Sequence, residues 1–218
     1  MADSVDRIAD LRDSYEIGSL SEAELAPTWL EQFEDWLEAA LVAGMPEPNA
    51  MVVATAGADG RPDARTVLLR GVDGRGLRFH SDYRSRKGRE LAENARATLL
   101  FPWYAQQRQV RVDGVVERLD PEESDAYFAT RPRGSRIGAA ASLQSEVIES
   151  REWLEQRFAE AEREHEGDEG IPRPDYWGGY VVIPHEVEFW QGRRDRLHDR
   201  LRYRRTSAGA WVVERLAP

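Results

Sequence analysis

The residue types and spacing of SRKGRELAEN, residues 85–94, indicate a site for an anion. Ser85 is a favourable N-cap, so Arg86 and Lys87 are predicted to lie in the first turn of a short helix. Cations in a first turn oppose the helix dipole, which makes the pattern unfavourable by itself. It becomes favourable when an anion binds at the helix start, where backbone N–H groups and both side chains can share its charge. Two solvated surface charges are the alternative interpretation.

A second anion-binding pattern lies in AYFATRPRGSRIG, residues 126–138. Tyr127 and Arg131 are four residues apart near a predicted helix end, so their side chains share one side. Arg131 and Ser135 fall in the Pro/Gly-rich turn that follows. A phenol, a guanidinium and a hydroxyl together form a good donor set for a phosphate group.

The segment RTVLLR, residues 65–70, places one arginine at each end of an apolar run. On a strand, Arg65 and Arg70 point to opposite faces, so one flat strand cannot aim both at one ligand. They could serve two anions, or a site where another subunit covers the second face. Two surface residues at strand ends are the alternative.

The C-terminal segment EFWQGRRDRLHDRLRYRR, residues 188–205, gathers seven arginines and a histidine in an acidic chain. On a strand, Arg196, His198 and Arg200 would share one face, which favours solvent or bound anions as their partners. Trp190 could stack on a flat heterocycle, or it could belong to the core. The residues alone therefore favour a phosphorylated flat ligand, without naming a reaction.

Composition limits the partners of the chain. Its net charge is −10, and its first 49 residues account for this excess, with 12 acids against Arg7 and Arg12. The remaining residues sum to zero, which disfavours a nucleic-acid partner. Of the 30 basic residues only Lys87 is a lysine, and there are no cysteines, which excludes disulfides and thiol catalysis. No metal site is predicted.

The distribution of apolar residues predicts a protein without a membrane partner. No apolar run approaches the roughly 18 residues that a membrane span needs. The acidic start of the chain resembles neither a signal peptide nor a transit peptide, so we expect a cytoplasmic location.

The elements that must position these residues are mainly strands. Helices are predicted over 28–43, where Thr28 and Glu31 fit a capping box, and over about 150–166. A further helix begins at Asp120, with a capping box to Glu123, and is broken by RPRGSRIG. Short β-rich runs separated by turns predict an antiparallel barrel or sandwich. These runs are 50–57, 65–72, 76–82, 97–104, 108–119, 180–184, 186–191, 198–205 and 210–216.

Taken together, the motifs resemble the pyridoxamine 5′-phosphate oxidase family. The similar segments, from about Leu11 to Pro218, are RTVLLR, SRKGRELAEN, LLFPWY, RQVRVDGVVERL, YFATRPRGSRIGA, LQSE, YWGGY, EFWQGRRDRLHDR and the terminal RLAP. The resemblance implies a mainly β fold with flanking helices, an FMN-binding split β-barrel, and a homodimer with FMN at the subunit interface. It implies a mobile N-terminal arm over 1–20 and a single domain over 21–218.

The resemblance also assigns roles to residues. The implied FMN contacts are Arg65, Thr66, Val67, Leu68, Leu69, Arg70, His80, Ser81, Arg86, Lys87, Gln109, Gln144, Ser145, Trp190 and Arg200. The implied substrate contacts are Arg12, Tyr15, Arg70, Tyr127, Arg131, Ser135, Arg196, Leu197 and His198. Arg196 and His198 would lie over the reacting carbon, the arginine for positioning and the histidine as support.

The implied reaction oxidises the 4′-amine or 4′-alcohol of a phosphorylated B6 vitamer to pyridoxal 5′-phosphate, in vitamin B6 biosynthesis and salvage. Hydride passes from C4′ to flavin N5, and O₂ reoxidises the flavin and gives H₂O₂. The chain departs from the family pattern at Arg70, where lysine is usual, and at His80-Ser81, where Tyr-Thr is common. A related flavin oxidase with another cyclic substrate, and a non-catalytic binder of flavin or pyridoxal phosphate, are the alternatives.

Overall fold

The computed structural model describes residues 14–167 and 170–218. The chain separates into two compact units, each assembled from more than one stretch. Of the described residues, the first unit comprises those up to Pro48 with Leu100–Val112 and Glu186–Pro218, and the second comprises those within Asn49–Leu99 and Asp113–His185. A single domain over 21–218 and a mobile arm over 1–20 stay predictions, and Arg12 lies outside the described residues.

Nine strands and five α-helices make up the regular structure of the described residues. The helices are α1 (Trp29–Val42), α2 (Arg86–Glu93), α3 (Pro121–Thr130), α4 (Arg133–Ala141) and α5 (Arg151–Glu164). The strands are β1 (Ala50–Ala56), β2 (Pro62–Leu68), β3 (Gly71–Asp73), β4 (Gly76–Asp82), β5 (Arg96–Trp103), β6 (Arg108–Arg118), β7 (Trp177–Gln191), β8 (Asp199–Arg205) and β9 (Trp211–Arg215). None of the helices within 14–167 and 170–218 combines the length and the apolar character that a bilayer crossing requires.

The strands form a sheet in the order β2-β1-β5-β6-β7-β4-β3, with β8 paired to β7 and β9 paired to β8. The pairs β1–β2, β3–β4, β4–β7, β7–β8 and β8–β9 are antiparallel. The prediction of a mainly β antiparallel protein with flanking helices is therefore confirmed.

Helix α1 anchors the core of the first unit. Its predicted capping box is confirmed, because the Thr28 hydroxyl accepts the Glu31 N–H at 3.2 Å and the Glu31 carboxylate accepts the Thr28 N–H at 3.1 Å. Phe33 packs edge-on against Phe101 at 5.0 Å, and Trp36 packs edge-on against Phe189 at 5.2 Å. Packing of these fully or nearly fully buried rings fixes α1 on the strands.

The predictions around α3 and α4 are partly wrong. Asp120 is the N-cap residue of α3, but its side chain makes no capping bond, and Glu123 instead pairs with Arg75 at 3.0 Å. The predicted break is confirmed, because α3 ends at Thr130, but the segment RPRGSRIG then opens a helix that was not predicted, α4. Only Arg131 and Pro132 leave the helical conformation, because a residue that precedes proline is sterically excluded from it.

Strand boundaries also differ from the expected ones. The run 65–72 divides into β2 and β3, whereas the runs 180–184 and 186–191 are one strand, β7. Arg196 ends a short 3₁₀ turn and has a left-handed φ of 60°, as does Asp195 at 56°. The predicted run 198–205 matches β8, which begins at Asp199, but the expectation that Arg196, His198 and Arg200 share one strand face is wrong.

Replacement of Gly88 by alanine is expected to destabilise the protein, whereas the same replacement at an ordinary helical glycine stabilises it. A Cβ on Gly88, in the first turn of α2, would lie 2.1 Å from the Tyr83 carbonyl oxygen. We expect G88A to lower the free energy of unfolding by roughly 1–3 kcal/mol, although alanine normally favours a helix by about 1 kcal/mol. The matched control is G134A in α4, where a Cβ meets nothing within 4 Å and no loss of stability is expected. Urea unfolding of both variants checks this, and a G88A protein as stable as the parent would contradict the close approach.

Candidate functional site

The largest concentration of predicted site residues surrounds a cavity of about 630 Å³ in the second unit. Strands β2 and β4, helices α2, α3 and α4, and the start of β7 supply its walls. The lining residues are Arg65, Thr66, Val67, Leu68, Arg70, His80, Ser81, Lys87, Tyr127, Thr130, Arg131, Pro132, Ser135, Gln144 and Trp177. Residues of the predicted FMN set and of the predicted substrate set thus border one cavity.

Lys87 is a buried cation among neutral partners. Its side chain is only 7% exposed, and Nζ donates to Ser81 Oγ at 2.8 Å, Ser85 Oγ at 3.1 Å and Gln144 Oε1 at 2.9 Å. Burial, and secondarily the nearby charge of Arg65, lowers the pKa of Lys87 to about 8. Among the described residues no carboxylate pairs with this ammonium, so an anion in the cavity would stabilise its charged form.

The start of α2 places its two cations in different surroundings. Ser85 caps the helix by accepting the Gly88 N–H at 3.3 Å, as predicted. Lys87 faces the cavity, whereas the half-exposed Arg86 pairs with Asp63 at 2.9 Å and Glu90 at 3.1 Å. Successive helical residues are about 100° apart, which separates the two side chains. A phosphate contact from Arg86 stays a prediction.

Arg65 and Arg70 both border the cavity, so the expectation that they serve different faces is wrong. Strand β2 ends at Leu68, and strict alternation therefore stops before Arg70. The Arg65 guanidinium is held by Asp63 at 2.6 Å and Glu90 at 3.2 Å.

Arg131 and Arg70 form a second cationic group with no acidic partner among the described residues. Arg131 lies over the Trp177 ring at 4.4 Å, and its Nη1 is buried without a hydrogen-bond acceptor. Burial lowers the pKa of Arg131, and the charge of Arg70 adds to this effect. Ser135 belongs to the first turn of α4, on the same cavity. Donors in this arrangement suit a phosphate ester.

His80 lies in an aromatic stack between these groups. Its ring is 3.8 Å from Tyr127 and 5.4 Å from Trp177, with interplanar angles of 18° and 14°. Both ring nitrogens are buried without partners. Burial, and then the charges of Arg131 and Arg70, lower the pKa of His80 to about 4. The ring is therefore neutral near pH 7 and can offer a ligand one donor and one acceptor.

A second pocket, of about 150 Å³, lies in the first unit and collects three of the predicted FMN contacts: Gln109, Trp190 and Arg200. Sequence reasoning missed its other lining residues, Arg111, Glu188 and Pro218. Residues two apart on a strand share a face. The spacing of Gln109 and Arg111 on β6, and of Glu188 and Trp190 on β7, could therefore have predicted Arg111 and Glu188 as lining residues.

A third pocket, of about 570 Å³, is bordered by Tyr15 and Leu197 in the first unit. Nearby, the His198 ring lies 4.6 Å from Trp190 and 5.7 Å from Tyr15. His198 Nδ1 accepts the Arg193 N–H at 3.1 Å, which places the proton of the neutral ring on Nε2. Burial and the charge of Arg196 lower the pKa of His198.

Some predicted residues lie away from these pockets, and some lining residues were not predicted. Leu69 is buried, and Ser145 is exposed with a φ of 73°. Thr130, Pro132 and Trp177 line the large cavity and were missed, although Trp177 opens the glycine-rich WGG segment that the sequence displays.

Two family descriptions match the chain. Residues 37–164 match pyridoxamine 5′-phosphate oxidase, and residues 177–218 match the pyridoxine 5′-phosphate oxidase C-terminal dimerisation region. The pyridoxine/pyridoxamine 5′-phosphate oxidase of Cupriavidus necator is 54% identical over 212 residues, which cover 97% of this chain and 99% of the relative.

Two solved structures are also similar. PhzG from Burkholderia lata 383, solved in complex with tetrahydrophenazine-1-carboxylic acid, has a TM-score of 0.85 and 34% identity, covering 93% of this chain and 99% of that one. A pyridoxamine 5′-phosphate oxidase-related, FMN-binding protein from Nostoc punctiforme PCC 73102 has a TM-score of 0.71 and 20% identity, covering 89% and 99%, and shares the fold. Matches over nearly the full length, together with the split-barrel fold, confirm the family resemblance of the sequence: this chain belongs to the pyridoxamine 5′-phosphate oxidase family.

Proposed function

We propose that the protein is an FMN-dependent oxidase that converts pyridoxamine 5′-phosphate or pyridoxine 5′-phosphate to pyridoxal 5′-phosphate. The observation that carries this proposal is the cavity with two cationic groups that lack acidic partners among the described residues. One group is Lys87, and the other is Arg70 with Arg131. Two phosphorylated ligands, a flavin nucleotide and a vitamer, would supply one anion to each group.

The residues of the cavity fit FMN by their chemistry. The Lys87 ammonium has only neutral protein partners, and Ser81 and Gln144 add polar atoms beside it. These residues and Arg65 would hold the FMN phosphate. Gln109, Trp190 and Arg200 would contact the flavin ring.

We further propose a homodimer with FMN at the subunit interface. The match of residues 177–218 to a dimerisation region supports the dimer. A cytoplasmic location and the lack of a nucleic-acid partner stay predictions.

In this mechanism the protein binds and orients the vitamer. When bound, FMN would supply the hydride acceptor, with O₂ as the final oxidant and H₂O₂ as its product. Arg70, Tyr127, Arg131 and Ser135 bind the vitamer phosphate. Hydride loss leaves positive character at C4′, so no strong base is needed there. With the amine substrate, water hydrolyses the resulting imine and releases ammonia.

Arg196, Leu197 and His198 would contact the vitamer ring, with Tyr15 closing over it. His198 carries its proton on Nε2 and accepts a backbone N–H at Nδ1, which fixes the orientation of the ring. Its lowered pKa keeps it neutral near pH 7, so it can donate from Nε2 without adding charge. Correct positioning of the reacting carbon would provide much of the rate.

The proposal is tested by aerobic turnover of the FMN-loaded protein. With each phosphorylated vitamer, we expect formation of pyridoxal 5′-phosphate and of H₂O₂ in equal amounts. Unphosphorylated pyridoxine is the control, and it should react far more slowly because it lacks the anion. Firmly bound flavin with no product from either vitamer would contradict the oxidase and favour a non-catalytic binder.

The similarity to PhzG favours one alternative, an oxidase of a larger cyclic carboxylic acid. Such a ligand carries no phosphate ester, and the group formed by Arg70, Arg131 and Ser135 would then have no defined partner. Inhibition and turnover experiments distinguish the vitamer oxidase from this alternative. Inhibition of vitamer binding by inorganic phosphate supports the vitamer oxidase, whereas turnover of tetrahydrophenazine-1-carboxylic acid supports the alternative.

The pKa of Lys87 predicts how FMN affinity depends on pH. In the ligand-free protein Lys87 loses its proton as pH rises through about 8. A bound phosphate dianion raises that pKa, so the complex retains the proton and affinity must fall as pH increases above about 8. Titrations between pH 7 and 9.5, monitored by flavin fluorescence, check this. K87M should show weak affinity without this dependence, and an unchanged dependence in K87M would contradict the assignment.

A further inference from the structure

We propose that Glu188 is a positioning residue that holds the Arg200 guanidinium at the flavin and balances the charge of the two arginines beside it. This inference rests on the proposed function, in which Arg200 contacts FMN. It goes beyond that function because Glu188 contacts Arg200 and not the reacting atoms.

The carboxylate of Glu188 is buried between two cations. Glu188 is 4% exposed, and its Oε1 accepts Arg200 Nε at 2.6 Å, while Oε2 lies 3.2 Å from Arg111 Nη2. A carboxylate this deeply buried is unfavourable unless cations and hydrogen bonds compensate it. The two guanidiniums provide this compensation, and the carboxylate in return fixes where they lie.

Arg200 is held on two sides and open on a third. Besides the bond from Nε to Glu188, its Nη1 donates to the Ala217 carbonyl oxygen at 2.9 Å. Its Nη2 donates no hydrogen bond to residues 14–167 or 170–218. The guanidinium is thus fixed through Nε and Nη1, and its remaining edge is available to a ligand.

The strands place this pair in the second pocket. On β7 and β8, Trp190 stands directly opposite Arg200 in the antiparallel register. Gln109 and Arg111 alternate on β6 and line the same pocket as Glu188. The carboxylate therefore belongs to the small group of side chains that includes all three predicted flavin contacts of this unit.

Charge gives Glu188 a second effect on the flavin. Arg111, Arg200 and Glu188 together carry one net positive charge, and removal of the carboxylate would leave two. Reduced flavin carries more negative charge than oxidised flavin, so the added positive charge would favour the reduced form. Loss of Glu188 should therefore make the midpoint potential of FMN more positive, while the loss of its bond to Arg200 loosens FMN by releasing the guanidinium.

The test compares E188Q with the parent in FMN affinity and in the midpoint potential of bound FMN. We expect E188Q to weaken FMN binding about tenfold, because the charge-assisted hydrogen bond that holds Arg200 in place is lost. We also expect the midpoint potential to shift in the positive direction. In an R200Q background the same change should alter affinity by no more than about twofold, because Glu188 acts through Arg200.

The matched control is E186Q, which breaks a glutamate–arginine pair on the same two strands. Glu186 pairs with Arg202 at 3.1 Å and does not line the pocket, so affinity and potential should stay at the parent values. If E188Q does not fold, E188D is tested in its place, because it keeps the charge but moves the carboxylate away from Arg200. The inference then requires that folded E188D binds FMN more weakly than the parent.

Three outcomes would overturn the inference. The first is an E188Q protein with the FMN affinity and midpoint potential of the parent. The second is a folded E188D protein that binds FMN as tightly as the parent. The third is an equal loss of FMN affinity from E188Q in the parent and R200Q backgrounds. Failure of the parent protein to bind FMN would instead contradict the proposed function itself, so the two failures are distinguishable.

Discussion

Replacement of Lys87 by methionine is expected to weaken FMN binding about 100-fold, since it removes a buried charged donor from the cavity wall. The ammonium is buried, donates to three neutral partners and forms no ion pair with a carboxylate of the described residues. Methionine keeps most of the volume and removes the charge, so the fold should persist. Fluorescence titration with FMN measures the effect, and circular dichroism reports the fold.

The matched control for this prediction is R61M. Arg61 is an exposed cation in the same unit and does not line the cavity. It should leave FMN affinity within about twofold of the parent, as expected for a surface charge that is screened by solvent. Equal losses in K87M and R61M would show a general charge effect and contradict a phosphate site at Lys87.

The second large effect is expected at Arg131. R131M should raise the KM for pyridoxine 5′-phosphate about 100-fold, because one partly buried guanidinium contact to the phosphate is lost. The affinity for FMN should change by less than about twofold, since Lys87 and its partners remain. The change should also remove most of the preference for phosphorylated over unphosphorylated vitamer, which is measured by steady-state kinetics with both.

R133M serves as the control for R131M. Arg133 lies two residues further along, does not line the cavity, and donates to the His165 carbonyl oxygen at 2.9 Å. Its loss should leave KM near the parent value. A large loss of FMN affinity in R131M, with unchanged KM, would mean that the two cationic groups have been assigned to the wrong ligands.

Features that depend on neighbouring residues could be predicted from the sequence. The caps at Thr28 and Ser85 are formed within three residues of the chain, and both were predicted correctly. The placement of Tyr127 and Arg131 on one side was harder to predict, because Pro132 removes Arg131 from the helix. The cavity nevertheless brings both residues together, since β7 supplies Trp177 as a surface for the arginine.

Features that depend on strand ends and on distant pairing could not be predicted in this way. Strand pairing ends β2 at Leu68, which places Arg70 on the same cavity as Arg65. Left-handed residues at Asp195 and Arg196 keep Arg196 outside β8, so it does not share a strand face with Arg200. The ion pair of Glu188 with Arg111 joins residues 77 positions apart, and no local sequence pattern predicts it.

The central claim is that the flavin accepts hydride from a phosphorylated vitamer at this site. The most direct test mixes the purified, FMN-loaded protein with pyridoxine 5′-phosphate in the absence of oxygen and records the flavin absorption band. The account predicts bleaching, which air reverses, with formation of pyridoxal 5′-phosphate. An unchanged band with flavin firmly bound would contradict a vitamer oxidase and indicate another substrate or a binder without turnover.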